Sequence, residues 1–186
     1  MSSLVDKESQ QTDVDQVAQD WKVPLEHEID MGGHTKAVTC ISSEPAGNRI
    51  VTGSLDYSVK IYDFGGMDSR LRAFRSIEVD DGYPVVSIAH SATGDRFIVG
   101  TGSCQPKVYD RDGKEIIKFV RGDMYIRDMA HTKGHVMEVT GVAWHPAQTQ
   151  RNTVLSSSLD GTLRVWDLEG EATFGGLTCR HVLKLK

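Results

Sequence analysis

The sequence predicts an all-β chain made of three copies of one unit, on three observations. Short β-type runs recur between turns: RIVTGS, RFIVGTGS, PKVYD, TVLSSS and LRVWD. No segment sustains a helical apolar period for three turns. Three stretches can be aligned, ending at Asp63, Asp110 and Asp167, 47 and 57 residues apart.

Taken in order, residues 1–25 are expected to form a disordered polar lead-in. MSSLVDKESQQTDVDQVAQD holds too few large apolar residues to offset ordering, and Pro24 interrupts what Trp21 and Val23 begin. The texture changes near residue 26. The first unit reads AVTCISSEPAGNRIVTGSLDYSVKIYD and the second VVSIAHSATGDRFIVGTGSCQPKVYD. The third reads EVTGVAWHPAQTQRNTVLSSSLDGTLRVWD, and CRHVLKLK (179–186) follows as an outer strand. Val38, Val85 and Val139 share one column, and Ile41, Ile88 and Val142 another. Cys40, Ser87 and Gly141 fill a column of small residues. The excess over a spacing of roughly 40–45 residues lies between units, as in the 121–133 segment, where loops tolerate insertion.

Length and composition narrow the class. A chain of 186 residues suits one domain with a sizeable core. Its 39% hydrophobic and 25% charged residues are ordinary for a soluble globular protein. A net charge of −5 argues against whole-surface attraction to nucleic acid or anionic membrane. Cys40, Cys104 and Cys179 are scattered without CxxC spacing, so they are read as small buried thiols rather than zinc ligands or disulfides. MSSLVDKESQ lacks the build of a signal peptide, and no apolar run reaches membrane-spanning length. The expectation is a soluble, intracellular protein with no membrane contact.

The unit pattern resembles WD-repeat proteins, whose repeats form four-stranded blades of a β-propeller. In that family a Gly-His precedes the inner strand, and an Asp sits in the turn before the Trp-Asp strand. A Ser or Thr two residues before the Asp completes a hydrogen-bonded tetrad. The third unit supplies His135, Ser158, Asp160 and Trp166. The first supplies His34, Ser54 and Asp56, with Tyr62 in the tryptophan position. The second keeps only Tyr109, because Ser103 replaces the Asp and no Gly-His precedes it. A buried aspartate must be satisfied by partners, so these residues are read as structural.

Other motifs reduce to turn chemistry. HTKGH (131–135) spaces two histidines as helical metal sites do, but a glycine and a loop break that geometry. DRDG (110–113) lacks the later ligands of a calcium loop and reads as a hairpin turn. DFGG (63–66) and GTGS (100–103) lack the companions that kinase and phosphate-loop motifs require. No nucleophile is paired with a base, so no enzyme, metal or cofactor is expected. Arg70, Arg72 and Arg75 form the best basic cluster, and Lys114, Lys118 and Arg121 a second. They are read as charges guarding outer strands, with a phosphate-contacting patch as the alternative.

Four idiosyncratic stretches resemble one family more closely: EHEIDMGGHTKAVTCI, YDFGGMDSRLRAFRSIE, QPKVYDRDG and GDMYIRDMAHTKGH. They resemble the WD repeat-containing protein 70, or gastrulation-defective, family over about residues 26–186. That resemblance implies a nuclear scaffold linked to the DNA double-strand-break response. It also implies regulation of histone H2B ubiquitylation through a cullin-4 ligase assembly or another chromatin-associated complex. Propellers that dock on the ligase adaptor often carry Arg two residues after Trp-Asp. Here those positions hold Gly65, Asp112 and Glu169, so the ligase role does not transfer on that motif.

Propellers close with roughly four to eight blades, and this chain encodes three plus a strand. The expectation is therefore an incomplete propeller, a fragment or truncated isoform of a longer one. Its expected function is a non-enzymatic protein-interaction scaffold in the nucleus. Alternatives are a scaffold in an RNA-processing complex and nucleic-acid binding through Arg70, Arg72 and Arg75. Tyr57, Gln105, Tyr125, Arg127 and Lys133 are the candidate partner-binding residues, being aromatic, basic or polar groups on loops.

Overall fold

The computed structural model describes residues 29–80 and 82–185. The expected disordered segment, 1–25, lies outside them. The described strands all lie within Gly32–Lys186.

Four strands, β1 (Val38–Ser43), β2 (Arg49–Ser54), β3 (Ser58–Asp63) and β4 (Arg75–Glu78), pair antiparallel in chain order as blade 1. Blade 2 repeats the order with β5 (Val85–His90), β6 (Arg96–Thr101), β7 (Lys107–Asp110) and β8 (Glu115–Lys118). Blade 3 begins with β9 (Val139–Trp144), β10 (Thr153–Ser158) and β11 (Thr162–Asp167). A two-strand hairpin, β12 (Ala172–Thr173) and β13 (Gly176–Leu177), intervenes before β14 (Cys179–Lys184) completes the sheet beside β11. These are three four-stranded blades of a β-propeller.

Side-chain alternation decides which faces meet. In β2 and β3, Val51, Val59 and Ile61 point to one side and are buried. They join Val85, Ile88, Phe97 and Val99 of blade 2 in one core cluster. Blade 2 turns Ile98 and Val108 the other way, into a second cluster with Val154 and Trp166 of blade 3. Each interface is nonpolar burial between sheets, the largest favourable contribution available to such a fold.

Two glycines allow the blades to approach. A Cβ on Gly53 would lie 2.4 Å from Val85 Cγ1, and one on Gly100 would lie 3.0 Å from Val139 Cγ1. The third member of this column is Ser157, whose hydroxyl instead bonds Thr140 at 2.9 Å. Polar contacts lock the inner strands together. Thr39 Oγ1 donates to Val85 O at 2.5 Å, and Trp144 Nε1 donates to Ala89 O at 2.9 Å. The Val85 and Val139 side chains are sealed at 0% and 1% exposure, while Val38, their counterpart in blade 1, is 52% exposed. The same residue type in the same column is thus buried or open according to whether a described blade packs against it.

The cysteines differ from expectation. Cys40, Cys104 and Cys179 are free, but each is only half-buried. Cys40 and Cys179 pack against the margins of the two core clusters, and Cys104 lies in the turn between β6 and β7.

Candidate functional site

Blade 3 carries a continuous hydrogen-bond relay. The indole Nε1–H of Trp166 donates to Ser156 Oγ at 2.7 Å. Ser156 Oγ lies 2.7 Å from His135 Nε2, and His135 Nδ1 lies 3.0 Å from Asp160 Oδ2. Indole nitrogen can only donate, so Ser156 accepts from it and gives its own proton to Nε2. Nδ1 therefore carries the imidazole proton and donates it to Asp160. Val136 N–H also donates to Oδ2, and both the amide and the hydroxyl of Thr162 donate to Oδ1. Trp166 is fully buried and stacks on Phe119 of blade 2 at 4.4 Å.

The electrostatics follow from this geometry. Burial alone would push the Asp160 carboxyl up, but the bonds from Thr162, Val136 and His135 outweigh it and hold its pKa low. Burial pushes the His135 pKa down, and Asp160 only partly offsets that. The pair is a carboxylate beside a neutral imidazole, with each of their side-chain nitrogens and oxygens engaged inside the blade.

Blade 1 repeats the arrangement with substitutions. His34 Nδ1 lies 2.9 Å from Asp56 Oδ2, and His34 Nε2 lies 2.8 Å from Thr52 Oγ1. Ser58 and Thr35 supply further donors to Asp56, so its carboxyl is held well below the usual range despite burial. Tyr62 takes the tryptophan position and hydrogen-bonds Thr52 through its phenol, whose pKa burial pushes up.

One sequence expectation needs correcting in both blades. The hydroxyl members are Thr52 and Ser156, four residues before the Asp, not Ser54 and Ser158 at two. An imidazole presents its two nitrogens in opposite directions. With Nδ1 on the turn Asp, Nε2 reaches one strand repeat further back, to the next residue on the same face. Ser54 and Ser158 serve the turn instead. Each accepts from the Asp amide at 3.2 Å and donates to a carbonyl of the preceding loop, Ala37 and Met137 respectively.

Blade 2 builds a different cluster in the same place. Buried Val99 occupies the hydroxyl column and Ser103 the Asp column. The carboxylate comes from Asp80, ahead of the inner strand, which accepts from Thr101 Oγ1 at 3.0 Å and Ser103 Oγ at 3.2 Å. Lys107 Nζ pairs with its other oxygen at 3.0 Å and donates to Val79 O at 2.6 Å. Tyr109 keeps the ring position but stacks on Phe97 at 5.5 Å. Sequence reasoning missed Asp80 and Lys107. The signal for Lys107 was the column Lys60, Lys107 and Arg164, a cation in the third strand of each described blade.

Beside this cluster a cavity of about 430 Å³ opens between the blade 2 turn and the loop leading into blade 3, walled by Tyr83, Cys104, Arg121 and Glu138. Burial pushes the Cys104 thiol pKa up. Gln105 spends its amide on Phe119 O at 3.0 Å. Tyr57 holds φ 70° where blade 3 has Gly161, and Lys36 Nζ sits 4.7 Å from its ring centroid. Tyr125, Arg127 and Lys133 are exposed on the 121–133 segment, Tyr125 at 88%. Arg70 and Arg72 are exposed on the β3–β4 loop, whereas Arg75 opens β4 and donates to Asp112 O at 2.9 Å. His131 pairs with Asp128, and His135 belongs to the relay, so HTKGH does not converge on one point. Among the described residues, no three of His, Cys, Asp and Glu gather as a metal site requires.

Comparison with known proteins accords with this geometry. The WD40 family (WD domain, G-beta repeat) matches residues 26–63 and 127–167, the two stretches that carry His–Asp pairs. The chain is 43% identical over 145 residues to the Gastrulation defective protein 1 homolog of Drosophila melanogaster, covering 78% of this chain and 22% of that protein. It is 43% identical over 148 residues to WD repeat-containing protein 70 of Homo sapiens, covering 80% of this chain and 22% of that one. It is also 36% identical over 171 residues to an uncharacterized WD repeat-containing protein of Schizosaccharomyces pombe, covering 88% and 28%. The matched stretches span about a quarter of the length of these curated relatives.

Proposed function

Because the chain belongs to the WD-repeat family, we propose that it is a non-enzymatic protein-interaction scaffold acting in the nucleus. The observation that carries the reading is the commitment of His135, Asp160 and Trp166 to one another. Groups that resemble a catalytic set are used to hold a blade. The loops, by contrast, expose Tyr125, Arg127 and Lys133, and aromatic and Arg side chains dominate binding hot spots. In this reading residues 1–25 are a polar lead-in to a propeller body spanning 26–186.

Similarity to WD repeat-containing protein 70 extends the proposal to the DNA double-strand-break response and to histone H2B ubiquitylation with a cullin-4 ligase assembly. Gly65, Asp112 and Glu169 stand where an adaptor-docking Arg is often found, so such docking would use another surface. Affinity purification of the tagged chain from nuclear and cytosolic fractions, before and after strand-break induction, tests this. Recovery of chromatin-bound proteins from the nuclear fraction, rising after breaks, is the expected result. Recovery of RNA-processing proteins alone would favour that scaffold instead, and no reproducible protein partner in either fraction would overturn the reading.

A further inference from the structure

The segment between β8 and β9 crosses over itself at a backbone contact. Gly122 N donates to His135 O at 2.8 Å, and a Cβ on Gly134 would fall 1.8 Å from Val120 O. Only glycine permits that approach. The base is tied again by Cys179 N to Lys133 O at 3.1 Å, and Lys184 pairs with Asp128.

Beneath it lies Arg164, fully buried although charged. Its Nη1 donates to Thr132 O at 2.7 Å and to Cys179 Sγ at 3.0 Å. Its Nη2 donates to Met129 O at 2.8 Å and Thr132 Oγ1 at 2.5 Å. Among the described residues no carboxylate pairs with it, and Nε has no partner. A buried cation is costly unless its donors are satisfied. Here two carbonyls and one hydroxyl of the insertion accept three of its four contacts, and the Cys179 sulfur the fourth, so the insertion is wrapped around the guanidinium.

The far end is ordered but exposed. Asp123 Oδ1 accepts from Tyr125 N at 2.9 Å, closing a turn that displays Met124 and Tyr125 at 54% and 88% exposure. Along the same segment Arg121, Arg127 and Lys133 are exposed, and no ion pair engages them among the described residues. The segment's carboxylates are in use, Asp123 in the turn and Asp128 with Lys184 and His131. The segment thus presents an exposed apolar, aromatic tip with exposed cations before and after it in sequence.

We propose that residues 121–133 are a pre-organised docking prong whose Met124–Tyr125 tip enters an apolar cleft rimmed by Asp and Glu on a partner protein. This rests on the scaffold reading and names the chemistry of the partner. Arg164 is a positioning residue, because holding the prong in its bound shape removes ordering entropy from association. A nucleic-acid partner is disfavoured. Three cations spread over residues 121–133, interrupted by Asp123 and Asp128, are few for tracking a phosphate backbone, and the chain as a whole carries −5.

The test places a photo-crosslinking benzoylphenylalanine at Tyr125 or, separately, at Tyr57 in the full chain, and maps the crosslinked residues in cell extract. The protein identified is then titrated against wild type, Tyr125→Ala, the double variant Arg127→Glu/Lys133→Glu, and Arg164→Lys. Crosslinks from position 125 are expected on apolar residues flanked by Asp or Glu. Tyr125→Ala and the charge reversal should each weaken binding at least tenfold. Wild-type affinity should fall between about 0.1 and 0.5 M salt, and the reversal should lose that fall. Arg164→Lys should weaken binding and speed amide exchange within 122–133 more than elsewhere.

Crosslinks onto a basic surface, or unchanged binding by Tyr125→Ala or by the charge reversal, would sink the prong. Crosslinks from Tyr57 alone would sink it and leave the scaffold standing, whereas none from either position would remove both. Tight binding of a single-stranded DNA oligonucleotide that Tyr125→Ala abolishes would also overturn it, in favour of nucleic acid.

Discussion

Blade 3 and blade 2 fill one structural slot with different chemistry. Blade 3 runs a linear relay from indole to hydroxyl to imidazole to carboxylate, and its Arg164 serves the neighbouring insertion. Blade 2 has no histidine in the slot and no hydroxyl at Val99. It closes the turn with an ion pair, Asp80 to Lys107, whose acid arrives from the opposite side. What the fold requires at this position is therefore a satisfied carboxylate tying the turn to the loop before the inner strand. The imidazole is one way of supplying the partner. The family match covers the first three strands of blades 1 and 3 and leaves out residues 64–126, where the substitute stands.

Acid breaks both relays at once and should have the largest effect. Unfolded histidine takes up a proton near pH 6.5, while burial keeps His135 from doing so in the fold. Its contribution is therefore complete above about pH 6.5 and is lost as pH falls below it. Asp56 and Asp160 are held below the ordinary carboxylate range. The unfolded chain protonates first, so their contribution is complete above about pH 4 and is lost below. Melting temperature followed from pH 7.5 downward should begin to drop near 6.5 and steepen under about 4. A flat profile from 7 to 4.5 would contradict the neutral, buried imidazole.

Next in size is Asp160→Ala. It strips His135, Val136 and Thr162 of a shared acceptor in a fully buried site, and should cost about 3–5 kcal/mol in denaturant unfolding. Asp80→Ala should cost less, about 1–3 kcal/mol. Lys107 retains Val79 O and lies 3.4 Å from Glu115, and the Asp80 site is partly open to water. Equal losses for the two variants would mean that the slots are equivalent after all.

Val99→Thr sharpens the comparison from the other side, because it restores the hydroxyl of blades 1 and 3 without restoring their histidine. Val99 is fully buried, so an unpaired hydroxyl there should destabilise by about 1–3 kcal/mol. A stabilised variant would show that blade 2 can complete a relay without imidazole. The smallest effect belongs to Tyr62→Phe. Removing its bond to Thr52 should cost about 0.5–1.5 kcal/mol, with the same signature in thermal and denaturant melts.

Much of this was legible beforehand. Strand runs, turn residues and the columns of Val38, Val85 and Val139 mark three blades, because period-two alternation and turn chemistry are local properties of the chain. His34 with Asp56 and His135 with Asp160 could be paired from repeat position. The hydroxyl partner could not be placed, since counting from the Asp stops at Ser54 and Ser158 while the imidazole spans to Thr52 and Ser156. Asp80 was invisible for a related reason: it occupies no column of its own and is defined only by what Ser103 and Lys107 lack.

The sequence alone determined the all-β class, the repeat and the two residues that anchor each of two blades, because these depend on spacing along the chain. Only the tertiary structure decided which hydroxyl closes the relay, that Lys107 meets Asp80, and that a charged Arg164 is buried under an insertion. Those depend on which atoms come within about 3 Å across strands and loops distant in sequence, and hydrogen-bond energy falls steeply beyond that reach.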